Sequence, residues 1–212
     1  AHFGNSAAGA GDVNADGYPD VVYSGYIDKD DKILGSSVHV NTGYGIIHDG
    51  KFNLPTQFIT WQDYDNGARL ADVNADGYTD VLLGQRYIDN RKVIETKAID
   101  LGSSLGWKRA EKFMLPELFV NTEGLTSTKI LRGEGDLQTQ IVDVNGDNLP
   151  DLVSVAGVYI NNGETFVKNA QFVLPRPLRD SAKRDGGVRF VDVNNDGLND
   201  IVYSEGSQER TT

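Results

Sequence analysis

Asp12-Val13-Asn14-Ala15-Asp16-Gly17-Tyr18-Pro19-Asp20 recurs three more times along the chain, at residues 72–80, 143–151 and 192–200. In every copy an oxygen-bearing side chain stands at positions 1, 3, 5 and 9, giving twelve Asp and four Asn at fixed places. Position 6 is Gly17, Gly77, Asn148 or Gly197, residue types that tolerate a positive φ. An ordinary turn between strands needs only one or two such residues. Hard oxygens alternating around a tight turn suit Ca2+, which takes six to eight oxygen ligands in flexible geometry. An EF-hand opens in the same way but closes on a bidentate Glu at position 12. Here that place holds Tyr23, Leu83, Ser154 or Tyr203. The residues after each loop, such as Val21-Val22-Tyr23 and Ile201-Val202-Tyr203, favour a strand over a helix. Each loop is therefore expected to lead directly into a β-strand.

The loops also explain the charge. The net charge is −11, from 31 acidic and 20 basic residues. Setting aside the twelve loop aspartates leaves acids and bases nearly balanced, and four bound Ca2+ would bring the total to about −3. No basic tract is present, which argues against a nucleic-acid partner. No apolar run approaches a membrane span. Cysteine is absent, so neither disulfides nor thiol chemistry contribute. Calcium loops of modest affinity fill at extracellular calcium levels, which places the expected setting outside the cell or on its surface, as a secreted protein.

The first aspartates of the loops are 60, 71 and 49 residues apart. A second landmark, F-x-L-P, follows at 52–55, 113–116 and 172–175, so the chain is read as a repeat array. The units run over about 6–62, 63–136, 137–182 and 183–212. Each is expected to hold four short antiparallel strands: one before the loop, one after it, one ending at an Asn/Gly turn, and one around F-x-L-P. No 3.6-residue apolar period is sustained, so the class is all-β. Four-stranded units at this spacing point to β-propeller blades with the Ca2+ loop between their first and second strands. Residues 26–32, 85–95 and 117–136 read as insertions, with Asp30 and Asp31 in a solvated tip whose substitution should hardly alter stability. Residues 155–158 read as a tight hairpin. Unit 4 is truncated after its second strand, so 1–212 reads as a single partial propeller of about three and a half blades. The expected partners are the remaining blades of a longer parent chain or another copy.

The stretch Phe3-Gly4-Asn5-Ser6 with the first loop resembles the FG-GAP/VCBS repeat family of integrin α-subunit heads, fungal lectins and bacterial surface proteins. Residues 65–77 and 185–197, with the N-T-G and F-x-L-P elements, are similar to a subgroup found in toxin-complex B-type and Rhs-related shell proteins. The resemblance implies four Ca2+ sites, each with side-chain ligands at positions 1, 3, 5 and 9 and the backbone carbonyl of position 7. In this sequence these are Asp12, Asn14, Asp16, Tyr18 and Asp20; Asp72, Asn74, Asp76, Tyr78 and Asp80; Asp143, Asn145, Asp147, Leu149 and Asp151; and Asp192, Asn194, Asp196, Leu198 and Asp200. The third site is expected to be the most strained, because Asn148 replaces glycine.

The function expected is a non-catalytic, calcium-stabilised module for adhesion or scaffolding that binds a protein or a glycan. Two alternatives stand beside it: a wall segment of a toxin-encapsulating shell, and a carbohydrate-binding part of a secreted enzyme. His2, His39 and His48 lie near no Ser or Cys nucleophile pattern, and most paired carboxylates belong to the loops. Trp61 and Trp107 suit stacking on a sugar face, but packing between units is the simpler role.

Overall fold

In the computed structural model, residues 3–27, 36–59, 64–89, 91–125 and 135–204 are described. They form four separate sheets, antiparallel but for one short parallel pairing in the second, with a single 3-10 turn at Gly50–Phe52 as the only helical element among them. None of the sheets closes into a barrel. The first contains β1 (Phe3–Gly11), β2 (Asp20–Ile27), β3 (Ser37–Asn41) and β4 (Ile46–His48), paired in chain order. The second contains β5 (Ala68–Ala71), β6 (Asp80–Asp89), β7 (Lys92–Leu101) and β8 (Lys108–Arg109), while β9 (Val120–Asn121) pairs parallel with β6. The third repeats the meander with β10 (Gln140–Val142), β11 (Asp151–Ser154), β12 (Gly157–Asn161) and β13 (Phe166–Asn169). The fourth is the pair β14 (Val188–Val191) and β15 (Asp200–Tyr203).

The oxygen-rich loop joins the first and second strands of every sheet, as its sequence implies. The second strands are β-branched and apolar because the sheets pack on both of their faces. Residues 80–84 of β6 and all four residues of β11 are buried. β15 has the same sequence character, yet Val202 and Tyr203 are each 42% exposed, since no third strand flanks it among the described residues. Residues 205–212, where the end of unit 4 was read, lie outside those residues, as do Asp30, Asp31 and Trp61.

One expectation needs correction. F-x-L-P does not form the fourth strand. That strand precedes it as β4, β8 or β13, and F-x-L-P begins the connector to the next sheet. In the first two copies its apolar residues are anchors, with Phe52, Leu54, Phe113 and Leu115 all buried, whereas Phe172 of the third is 40% exposed. Each connector closes with the same backbone bond, Asn66 N–H to Phe58 O, Leu137 N–H to Phe119 O, and Gly186 N–H to Leu178 O. The insertion read at 85–95 takes the form of a hairpin extension: β6 and β7 stay paired from Val81↔Asp100 out to Asp89↔Lys92, whereas β11 and β12 of the third sheet turn back at Ser154 and Gly157. Within the insertion at 117–136, β9 pairs with the projecting part of β6 at Gln85 and Arg86. The hairpin at 155–158 is tight as read, with Ser154 paired to Gly157.

The apolar clusters lie between sheets. Val13, Val22, Val38, Val40, Phe52 and Leu54 meet Val81 and Leu70 of the second sheet. Leu82, Ile99, Phe113 and Phe119 meet Leu152 and Phe166 of the third. Val153, Val158 and Leu178 meet Val188, Phe190 and Ile201 of the fourth. Consecutive sheets thus stack face to face in chain order.

One ion pair is partly withdrawn from water. Asp100 on β7 is 4% exposed and accepts from Arg109 Nε at 2.7 Å and Nη2 at 3.0 Å. Arg109→Ala would strand a buried carboxylate and is expected to cost about 1.5–3 kcal/mol, the range for a hydrogen bond to a charged group. Arg184→Ala, which breaks the more exposed Arg184–Asp180 pair, is expected to leave stability nearly unaltered. Urea unfolding of the two variants checks the contrast.

Candidate metal loops

The four loops share one internal geometry. The first-position carboxylate turns inward and accepts the backbone N–H of position 6: Gly17 to Asp12 at 2.6 Å, Gly77 to Asp72 at 2.9 Å, Asn148 to Asp143 at 2.8 Å, and Gly197 to Asp192 at 2.9 Å. The fifth-position carboxylate accepts the N–H of position 7, from Tyr18, Tyr78, Leu149 and Leu198 at 2.8–3.0 Å. The third-position Asn donates Nδ2 to that same carboxylate, in Asn14–Asp16, Asn74–Asp76, Asn145–Asp147 and Asn194–Asp196. For Asp192 the amides, that of Gly197 foremost, hold the carboxyl below its ordinary range.

Backbone strain is distributed differently from expectation. Position 6 has positive φ in all four loops, but so does position 4: Ala15 at 59°, Ala75 at 56°, Gly146 at 78° and Asn195 at 62°. The third loop moves its glycine from position 6 to position 4, so Asn148 at 66° is not a lone defect. Loops 1 and 2 hold an alanine in the left-handed region instead, a placement costing about 1–2 kcal/mol. The third loop is therefore not singled out by strain.

The ninth-position Asp has another role, which sequence reasoning did not separate from the rest. Asp80 is fully buried; its Oδ2 accepts from Val73 N–H at 2.8 Å and its Oδ1 from Gly102 N–H at 2.7 Å. Asp20 joins Val13 to Asn41, and Asp151 joins Val144 to Asn161, in the same way. Each carboxylate ties the loop to the end of the third strand. Asp200 keeps only the first bond, from Val193 N–H at 3.2 Å, and no second donor reaches it among the described residues. Burial raises the Asp80 carboxyl to about 7, with the Asp76 and Asp72 charges adding to that and the two amides opposing it. Asp20 and Asp151 shift upward for the same reasons, burial first.

The donor set is carboxylate, amide oxygen and carbonyl, the hard oxygens that suit Ca2+. Among the described residues no three Asp, Glu, His or Cys side chains are drawn into a tight cluster, so the carboxylates alone do not form a cage. The Asn Nδ2 group sits against the fifth-position carboxylate where a positive partner is favourable. Its Oδ1 accepts the backbone N–H of position 5 in every loop, so turning Oδ1 toward the carboxylate gives up that bond and is offset only when a cation lies between the two oxygens. The residues thus fit such an ion by donor type and by mutual repulsion.

Other candidate groups sort clearly. Trp107 packs edge-on against Phe52, ring centroids 5.8 Å apart, and donates Nε1–H to Thr79 O at 2.7 Å. It is a joint between the first and second sheets. His39 and His48, on the two strands of one hairpin, are cross-strand neighbours with ring centroids 5.6 Å apart. Only the β3–β4 register could have revealed that pairing. No helix among the described residues is long and apolar enough to cross a membrane.

The architecture is a chain of β-meanders, each opening on an oxygen-rich loop. Residues 143–203 match the FG-GAP-like repeat family, which supports that family for the segment holding loops 3 and 4. The chain is also 30% identical, over 90 residues, to the mitochondrial [pyruvate dehydrogenase [acetyl-transferring]]-phosphatase 1 of Saccharomyces cerevisiae. That alignment covers 42% of this chain and 16% of the yeast protein. So short a share bears on neither activity nor substrate here.

Proposed function

We propose that this chain is an arc of a calcium-stabilised β-propeller serving as a non-catalytic adhesion or scaffold module outside the cell. The observation that carries this reading is the fourfold loop, with the same side chains in the same hydrogen bonds, at the same place in four successively stacked sheets. The FG-GAP-like match over 143–203 supports it. When bound, Ca2+ supplies charge neutralisation, two positive charges against three carboxylates in each loop. The loop residues hold their carboxylates through backbone amides, and the ninth Asp transmits loop order to the second and third strands.

Further blades, from a longer chain or a second copy, are the proposed neighbours of the fourth sheet. Val191, Val193, Val202 and Tyr203 are exposed there. A protein or glycan is the proposed ligand, and Tyr44, wholly exposed beside the half-exposed Tyr18, offers an aromatic surface. Calorimetric titration of chelator-stripped protein with Ca2+ tests the metal reading, with about four equivalents expected. Heat no greater than that of buffer dilution would count against it. Retention on a glycan array separates a sugar ligand from a protein one.

A further inference from the structure

Neighbouring loops touch one another, and the contacts are not uniform along the chain. Position 8 of the loop is Pro19, Thr79, Pro150 and Asn199 in turn. Proline has no N–H and no polar side chain, so loops 1 and 3 cannot donate from this position. Loops 2 and 4 do. Thr79 donates both its backbone N–H, at 3.1 Å, and its Oγ1, at 3.0 Å, to the carbonyl of Asp12. Asn199 donates Nδ2 to the carbonyl of Asp143 at 2.8 Å. In both cases the acceptor belongs to the first residue of the preceding loop, the one whose carboxylate organises that loop.

Close packing accompanies each of these bonds. A Cβ placed on Gly11 would meet Thr79 Oγ1 at 2.7 Å, and one on Gly77 would lie 3.6 Å from the Ala15 methyl. A Cβ on Gly146 would collide with the Leu198 side chain. Between loops 2 and 3 the link differs. Buried Asn161, beyond the end of the loop, donates Nδ2 to Val73 O at 2.7 Å and to Pro150 O at 3.1 Å. No first-position residue is held there.

We infer that the loops work as two coupled pairs, 1 with 2 and 3 with 4, in which Thr79 and Asn199 are positioning residues that let order in the later loop preset the first ligand of the earlier one. This rests on the metal reading above. A cation ordering loop 2 fixes Thr79 and, through it, the backbone of Asp12, so loop 1 loses less conformational freedom when it fills. By linkage the effect is reciprocal. The alternation of Pro with a donor residue at position 8 is what makes pairs rather than a uniform run.

Hydrogen exchange of the loop peptides 11–20, 71–80, 142–151 and 191–200, followed across a Ca2+ titration of the whole chain, tests the inference. Thr79→Pro installs the residue that loops 1 and 3 already carry, so it is compatible with the loop while removing both donors. It is expected to raise the Ca2+ midpoint of the unaltered loop 1 by about fivefold or more, with loops 3 and 4 unmoved within about twofold. Asn199→Pro is expected to do the same to loop 3 and spare loop 1. Thr79→Val, which keeps the N–H, should give a smaller shift in loop 1 and decides the matter if Thr79→Pro does not fold. An unmoved loop 1 midpoint in the folded variant overturns the inference. If no loop responds to Ca2+, the metal reading fails, and exchange in metal-free protein then decides the clamp alone. Faster exchange at 11–20 in the Thr79 variants upholds it, and unchanged exchange refutes it.

Discussion

Stripping the protein with excess chelator is expected to lower its melting temperature by at least about 5–10 °C, the shift for one site held at a hundred times its dissociation constant. Four such sites would lower it further. The reason lies in the loops. Positions 1, 5 and 9 place three carboxylates around one turn; burial first, and then the charges at positions 5 and 1, push the Asp20, Asp80 and Asp151 carboxyls upward. That repulsion exists in the folded chain and is weak in the unfolded one, so any cation that relieves it favours folding. Restoring Ca2+ should recover the original curve, whereas an equivalent increase in ionic strength from NaCl should not. An identical melt in chelator and in Ca2+ would remove the case for metal sites.

The second large effect concerns the ninth position. Asp80→Ala, measured in chelator so that metal binding does not contribute, is expected to destabilise by about 2–6 kcal/mol. It leaves the N–H groups of Val73 and Gly102 buried without partners, at about 1–3 kcal/mol each. Asp200→Ala removes a single long bond at a half-buried site and should cost no more than about 1.5 kcal/mol. Chemical denaturation of both variants checks the ranking, and equal losses would mean that the ninth Asp is not a tie between loop and sheet. The same two residues would look interchangeable in sequence.

Most of the fold was readable because the loops set the register. Once Asp12, Asp72, Asp143 and Asp192 were aligned, the strands on either side followed from their Val, Leu and Ile content. What stayed hidden has physical causes. Phe52 and Phe113 look like strand residues, since aromatic and β-branched side chains suit strands and buried connectors alike, and only packing shows them anchoring a crossing. The insertion at 85–95 was legible from the polar Gln85, Arg86 and Glu95, but that it continues the β6–β7 ladder was not, because a hairpin projecting beyond its neighbours needs no apolar face. The division of labour among the loop carboxylates was likewise invisible, because burial distinguishes Asp80 from Asp72 while both are simply Asp. The contacts between loops were out of reach for a related reason. Thr79 lies 67 residues from Asp12, and nothing local marks it as a donor to that backbone.

The three apolar clusters carry a consequence for how the chain comes apart. Each is shared by two adjacent sheets, so an inner sheet is gripped from both sides and a terminal one from a single side. Such an array behaves as a row of dominoes glued face to face, with local stability set by rank in the row more than by composition. Among the described residues, β14 and β15 have no third strand and one glued face, and are then the expected first to loosen. Docking another sheet against Val202 and Tyr203 would move that weak point one place along the row without altering a residue of the sheets already stacked.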